Sequence, residues 1–268
     1  KEYEFDFVVT NTFKTDLNKK IFSKNYKSFF FNDDVYDSDI LKELSNSSNI
    51  LISIPPVRGE DLVLKNFKDQ FTHNKFNWIT YLSATSIYGD KKGGWVNEET
   101  DPEPTSRRGI ERLNAENNWI KYYQNFDLPV QIFRLSGIYS IENNIIKRIK
   151  MGTFKIVEKE NQFFSRIHVE DIAEILTISL EKFNPGEIFN ISDNYPCSSE
   201  EVFEHVSRLI KIDTPRKIKP NNIENKILKD FYRDSKKVSN KKMKIFFKYH
   251  LKYPTFKEGL DVIKNHIV

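Results

Sequence analysis

The strongest constraint on this chain is an alternation of short apolar runs with stretches of helical period. Strand-like runs are YEFDFVVT (3–10), KSFFFN (27–32), NILISIPP (49–56), FNWITYLS (76–83), PVQIFRLS (129–136) and GEIFNIS (186–192). Between most of them lie polar–apolar stretches at 14–23, 37–46, 59–73, 106–124 and 169–182. Alternation of this kind predicts an α/β architecture, a doubly wound and mostly parallel sheet with helices on both faces. NILISIPP is almost uniformly apolar, as a strand covered on both sides must be. Pro55 and Pro56 then stop it at the sheet edge where such folds bind ligands. The strands at 49–54, 76–83 and 129–135 are predicted adjacent and parallel, with their C-terminal ends along one cleft. After about residue 193 the pattern changes. Helices predicted at 198–212, 222–232 and 255–267 surround the basic segment YRDSKKVSNKKMKIFFKYH. The expected organisation is a main domain over 1–140, to which 163–192 returns, and a smaller C-terminal subdomain over 193–268.

Composition narrows the function. Hydrophobic residues make up 38% of the 268, with 22 Phe and 12 Tyr, which is enough for a full core. The 42 basic and 38 acidic residues leave a net charge of +4, and this small, dispersed excess argues against a nucleic-acid partner. The basic run 236–248 lacks aromatic residues at stacking intervals and reads as a solvated helix face. One cysteine, Cys197, rules out an intramolecular disulfide and fits a reducing cytoplasm. No apolar run approaches the roughly 20 residues of a membrane helix, so no membrane partner is expected. The opening KEYEFDFVV has no signal-peptide pattern. Five scattered His and the single Cys offer no metal-ligand cluster. Ser83, Ser86 and Ser136 lack the turn and partners of a nucleophile.

Seven segments in order carry a resemblance: ISIPP, YLSATSIYGDKKGGWVNEET, PTSRRGIERLNAENNWI, LPVQIFRLSGIYS, FSRIHVEDIAEIL, GEIFNISDNYP and KKVSNKKMK…YPTFKEGL. Together they span roughly residues 49–260, and the chain resembles an atypical extended short-chain dehydrogenase/reductase of the NAD-dependent sugar-nucleotide epimerase/dehydratase type. The resemblance implies a Rossmann-like sheet, a C-terminal subdomain that binds substrate, NAD or NADP as cofactor, and a nucleotide sugar or similar anion as ligand. It places Ser53, Ile54, Pro55, Ser83, Ala84, Arg112 and Leu135 along the cofactor, and Trp95, Arg134 and Arg166 toward the substrate.

Two departures from the family pattern stand out. In the family a glycine-rich turn after the first strand lets the backbone approach the pyrophosphate, and the following helix N-terminus attracts its charge. No such turn occurs here, and the first glycine is Gly59. Residues 5–12 match the family's second strand better than its first. A strand–turn–helix is therefore expected ahead of them, and without it NAD(P) binding is expected to be weak or absent. The alternative is that residues 3–10 are the first strand of a fold without a phosphate loop.

The second departure concerns chemistry. Family enzymes use a Ser or Thr, a Tyr acid/base and a Lys that lowers the Tyr pKa and holds the nicotinamide ribose. The resemblance puts Ala84, Arg108 and Arg112 at these places, with Thr85 adjacent. Arg stays protonated near neutral pH, so Arg108 cannot stand in for the phenol, although Arg112 can hold a ribose or phosphate. Thr85, Arg108 and Arg112 are the candidate catalytic positions, and Tyr88 and Tyr139 are the other nearby hydroxyls. Arg108 and Arg112 are four apart and share a helix face. Either they clamp an anion, or Arg107–Glu111 and Arg112–Glu116 are ordinary surface pairs.

Other candidates also have two readings. Arg134 either lines the cleft or pairs with an acid such as Asp171. Trp95, beside Gly93 and Gly94, either closes over the site or anchors its own loop. His168, Glu170 and Asp171 suit a helix N-terminus. Two functional expectations follow. The first is an NAD(P)-binding relative of the epimerases and dehydratases with altered chemistry. The second is a non-catalytic member that senses a dinucleotide or nucleotide sugar.

Overall fold

The computed structural model describes residues 6–13, 18–21, 24–212 and 217–267. Its centre is a four-stranded parallel sheet in the order β12-β8-β6-β5. The strands are β5 (Asn49–Ile52), β6 (Trp78–Ala84), β8 (Val130–Leu135) and β12 (Ile188–Ile191). In register, Ile50 lies beside Ile79, Tyr81 beside Ile132, and Ile132 beside Ile188. The three strands predicted to be neighbours are therefore adjacent and parallel. A second sheet holds β1 (Val8–Asn11) parallel to β3 (Lys24–Asn32), with β2 (Asn18–Ile21) antiparallel on the other side of β3 and β4 (Val35–Tyr36) also paired to β3. The helix expected over 14–23 is thus corrected at 18–21, which pair as strand. Residues 14–17 and 22–23 lie outside the described residues.

Alternation along the strands divides the core between two faces. Ile79, Tyr81 and Ile132 face α2 (Leu62–His73) and α3 (Arg107–Phe126), where Phe67, Phe71 and Trp119 meet them. Phe133, Leu135, Phe189 and Ile191 face the other way, against α5 (Val169–Ser179) and α8 (Lys241–Phe247). This is the two-faced cover that parallel strands require. Each large side chain buried this way contributes about 1.5–3 kcal/mol. Helix α1 (Asp39–Asn46) packs beside α2.

Paired two-stranded ladders join the rest: β7 (Trp95–Val96) with β14 (Lys237–Val238), β9 (Gly137–Tyr139) with β11 (Arg166–His168), and β10 (Ile156–Val157) with β13 (Lys217–Ile218). A further core joins α4 (Ile145–Lys150), α6 (Ser199–Ile210) and α9 (Phe256–Ile267) around Ile146, Val206 and Ile263. The short α7 (Lys226–Phe231) lies between α6 and α8 in sequence. The sequence pattern misses α4, whose six residues are too few to show a helical period clearly; α8 falls within the run 236–248 read as a solvated helix face, though its Met243 and Phe247 are buried.

Candidate active site

The C-terminal ends of β6 and β8 hold the site. Strand β6 runs into a single 3-10 turn, Thr85–Tyr88, and α3 lies over that turn. The close approach depends on Gly109. A Cβ there would sit 2.9 Å from the Ser86 carbonyl oxygen and 2.9 Å from Pro104 Cβ. Ser106 caps α3, its hydroxyl accepting from the Gly109 amide at 3.1 Å.

The two arginines of α3 have different fates. Arg112 is half-buried, and its Nη1 donates to the Leu82 carbonyl at 2.8 Å and the Tyr81 hydroxyl at 3.2 Å. Burial pushes the Tyr81 phenol above its usual range, and the Arg112 charge opposes that rise. Arg108 is exposed and makes no hydrogen bond or ion pair among the described residues. Arg107 and Glu111 form the expected surface pair at 2.8 Å. The pairing of Arg112 with Glu116 is corrected, because Glu116 turns inward.

Glu116 is 2% exposed and Arg134 3%. Arg134 Nη2 donates to Glu116 Oε2 at 2.8 Å and its Nε to both carboxylate oxygens at 3.1 and 3.2 Å. Arg134 Nη1 donates to the Tyr88 hydroxyl at 2.9 Å, and that hydroxyl donates to Asn190 Oδ1 at 2.8 Å. The Asn190 backbone amide donates to Glu98 Oε1 at 2.7 Å. The string ties α3, β8, the 3-10 turn and β12 together. The partner of Arg134 is therefore Glu116. Asp171 instead accepts from Tyr249, Lys252 and Tyr253 at 2.7, 2.7 and 3.1 Å. Tyr88, fully buried and bonded on both sides, is fixed inside this string.

Two hydroxyls at the strand ends are buried without a hydrogen-bond partner among the described residues, Ser83 Oγ and Ser136 Oγ. Ala84 and Thr85 beside them are half-buried, and Leu135 is buried. Ser53 and Pro55 are exposed and Ile54 half-buried, following edge strand β5, whose Leu51 is exposed. At the start of α2, the Asp61 carboxylate accepts from the Val63 and Leu64 amides and from Trp119 Nε1 at 2.9 Å. Burial raises its pKa, and these hydrogen bonds and Arg112 work against the rise. Trp95 is 62% exposed, and its neighbour Val96 supplies the anchor, packed with Ile87, Tyr88 and Val238. The alternative that Trp95 anchors this loop is thereby corrected.

Arg166 lies in a second place. It lines a cavity between α4, α6, α7 and α9, together with Tyr139, Phe154, Phe231 and Phe256. The charged residues around that cavity are Arg148, Lys155 and Arg166, with no acid among the described residues that line it. His168 and Asp171 serve the start of α5, where the His168 ring accepts from the Glu170 amide. Next to this wall Asp193 is 1% exposed, and its Oδ2 has no hydrogen-bond partner among the described residues. Burial pushes its carboxyl up to about 7.

This geometry has a counterpart among known proteins. The model of the NAD dependent epimerase/dehydratase family matches residues 65–192. A structure of a functionally unknown conserved protein from Silicibacter pomeroyi DSS is 34% identical, with a TM-score of 0.76 over 82% of this chain and 78% of that one. The chain belongs to the NAD dependent epimerase/dehydratase family. Protein YeeZ of Escherichia coli (strain K12) is 26% identical over 196 residues, covering 68% of this chain and 66% of YeeZ. The chain thus spans just under two thirds of that relative. UDP-glucuronic acid 4-epimerase from Bacillus cereus, solved in complex with NAD, is 20% identical, with a TM-score of 0.70 over 90% of this chain and 80% of that one. At that identity the likeness to this family member is one of fold.

Sequence reasoning missed Glu116, Asp193 and Arg148 as site residues. Glu116 had a signal. Arg134 stands near the end of an otherwise buried strand, so an acid had to face it, and α3 is the helix that covers β8. Asp193 and Arg148 carried no such signal, since neither shows its surroundings in its neighbours along the chain.

Proposed function

We propose that the protein binds a nicotinamide dinucleotide together with an anionic, nucleotide-sugar-like molecule, without the phenol–ammonium acid/base pair of its family. The observation that carries this reading is the state of the two α3 arginines. Arg112 is engaged by Leu82 and Tyr81, and Arg108 meets solvent. Neither can accept a proton from a sugar hydroxyl near neutral pH.

The dinucleotide reading draws support from the strand ends. A buried hydroxyl without a partner costs free energy, and two of them, on Ser83 and Ser136, end neighbouring strands of a parallel sheet, where ligands of such sheets bind. Ser83, Ala84 and Leu135 would flank the cofactor on this rim, with Ser53, Ile54 and Pro55 after β5, and Arg112 beneath. A bound NAD or NADP supplies hydride exchange. The chain's own part is to orient it and exclude water.

The anion reading draws support from the cavity bearing Arg166, whose charged lining residues are all cationic. Its aromatic walls suit the flat, partly apolar body of a nucleotide. A catalytic reading of the rim is favoured by Thr85 alone, half-buried at the start of the 3-10 turn beside Ala84. It would make the protein an oxidoreductase whose reacting oxygen is held by Thr85.

Calorimetry and a turnover assay separate the readings. With NAD, NADP and UDP-glucuronic acid, binding without epimer formation or nicotinamide reduction is expected, weak for the dinucleotides because no glycine-rich turn holds their pyrophosphate. Turnover abolished by Thr85→Val would move the chemistry to Thr85. Lack of binding by dinucleotide and nucleotide sugar alike would overturn the proposal.

A further inference from the structure

Arg166 is held in an unusual way. Phe164 and Cys197 form a two-residue antiparallel bridge, amide to carbonyl in both directions at 2.9 and 3.2 Å. Arg166 Nη1 donates to the Phe164 carbonyl at 2.9 Å, to Cys197 Sγ at 3.2 Å and to the Cys197 carbonyl at 3.4 Å. The rings of Phe164 and Phe256 lie 5.8 and 6.0 Å from the guanidinium carbon. No carboxylate lies within ion-pair distance of Arg166 among the described residues. Its anchors are therefore two carbonyls, a sulfur and two ring faces, and all of them are neutral.

The chemistry of the sulfur matters here. Cys197 is the only cysteine in the chain and is 1% exposed. Burial pushes its thiol up to about 11, so it stays a thiol near neutral pH. A neutral sulfur is a weak acceptor that fixes a guanidinium without cancelling its charge. A carboxylate at the same place would hold Arg166 more firmly and neutralise it toward any incoming anion.

We propose that Cys197 is a positioning residue, whose sulfur and carbonyl hold one nitrogen of Arg166 so that the remainder of the guanidinium meets an anionic ligand with its full charge. This rests on the reading of the cavity as the seat of the anion. Removing the sulfur frees the Arg166 side chain to sample other rotamers, and ligand binding must then restore the ordering.

The test is calorimetric titration of the intact protein with UDP and with inorganic pyrophosphate, beside a thermal melt of each variant. Cys197→Ala is expected to weaken UDP binding roughly 3- to 10-fold, the range for one net hydrogen bond. Cys197→Ser, which keeps an acceptor, is expected to recover most of that loss. In an Arg166→Ala background, Cys197→Ala is expected to add no further loss. Unchanged affinity in Cys197→Ala while Arg166→Ala binds poorly would overturn the positioning role and leave the anion site standing. An equal additional loss in the Arg166→Ala background would overturn it too. Wild-type affinity in Arg166→Ala, or no binding of either probe, would instead remove the anion site on which the inference rests. If Cys197→Ala does not fold, Cys197→Val removes the acceptor while keeping the space filled, with the same factor expected.

Discussion

Separating the buried pair of Glu116 and Arg134 should be among the most destabilising changes available in this protein. Both side chains are almost fully removed from water, at 2% and 3% exposure, and three N–O contacts of 2.8, 3.1 and 3.2 Å join them. Glu116→Gln leaves a buried guanidinium facing the neutral Gln carbonyl and the neutral Tyr88 hydroxyl. Arg134→Met leaves a buried carboxylate with none of these three bonds. Breaking one side of such a pair costs about 3–5 kcal/mol, because the surviving charge stays desolvated. At roughly 2–4 °C of melting temperature per kcal/mol for a chain of this size, each single variant should melt about 6–20 °C lower. The double variant Glu116→Leu, Arg134→Met buries no lone charge and should lie within about 2 kcal/mol of wild type, since a well-packed apolar pair often replaces an ion pair at little cost. Urea unfolding of the four proteins yields the coupling energy directly. Single variants that lose less than about 1 kcal/mol, or a double variant that loses the sum of the two, would refute the assignment of Arg134 to the core.

Three further outcomes follow from the same geometry. Arg112→Ala should cost about 1–3 kcal/mol through its bonds to Leu82 and Tyr81, whereas Arg108→Ala should fall within about 0.5 kcal/mol of wild type; equal melts would contradict the placement. Gly109→Ala should destabilise by roughly 1–3 kcal/mol despite the better helix propensity of Ala, because its Cβ meets Ser86 and Pro104 at 2.9 Å, and a higher melting temperature would count against that packing. Asp193 is held as the acid by burial, from 3.8 up to about 7, so its contribution is fully present below about pH 4 and lost as pH rises through 7. Asp193→Asn cannot ionise, so its unfolding free energy should gain on wild type between pH 4 and 7.5 and then level off, by about 4 kcal/mol in all; a gap that does not change with pH would refute this.

The order of the central strands and the helices that cover them was determined by the sequence alone. Hydrophobic runs of strand length, alternating with stretches of helical period, leave few arrangements other than a parallel sheet covered on both faces. Pro55 and Pro56 mark the end of one strand, and Ser106 marks the start of α3, because both act through their own backbone and its nearest amides. Identity at the expected catalytic positions was equally legible, since Ala84, Arg108 and Arg112 are facts of the chain. What those residues do was not. Arg112 is four residues from Glu116, and along an isolated helix they would pair. Packing α3 onto β8 brings Glu116 to Arg134 instead, because a buried guanidinium needs a charge partner more than a half-exposed one does. The same distinction separates Trp95 from Val96. Both sit in one short strand, and only the fold decides that Val96 is covered and Trp95 is not. Asp193, Arg148 and Cys197 gain their roles from neighbours that are 31 residues away for Cys197 and Arg166. Burial and charge proximity of that kind are properties of the folded surroundings, which only the tertiary structure supplies.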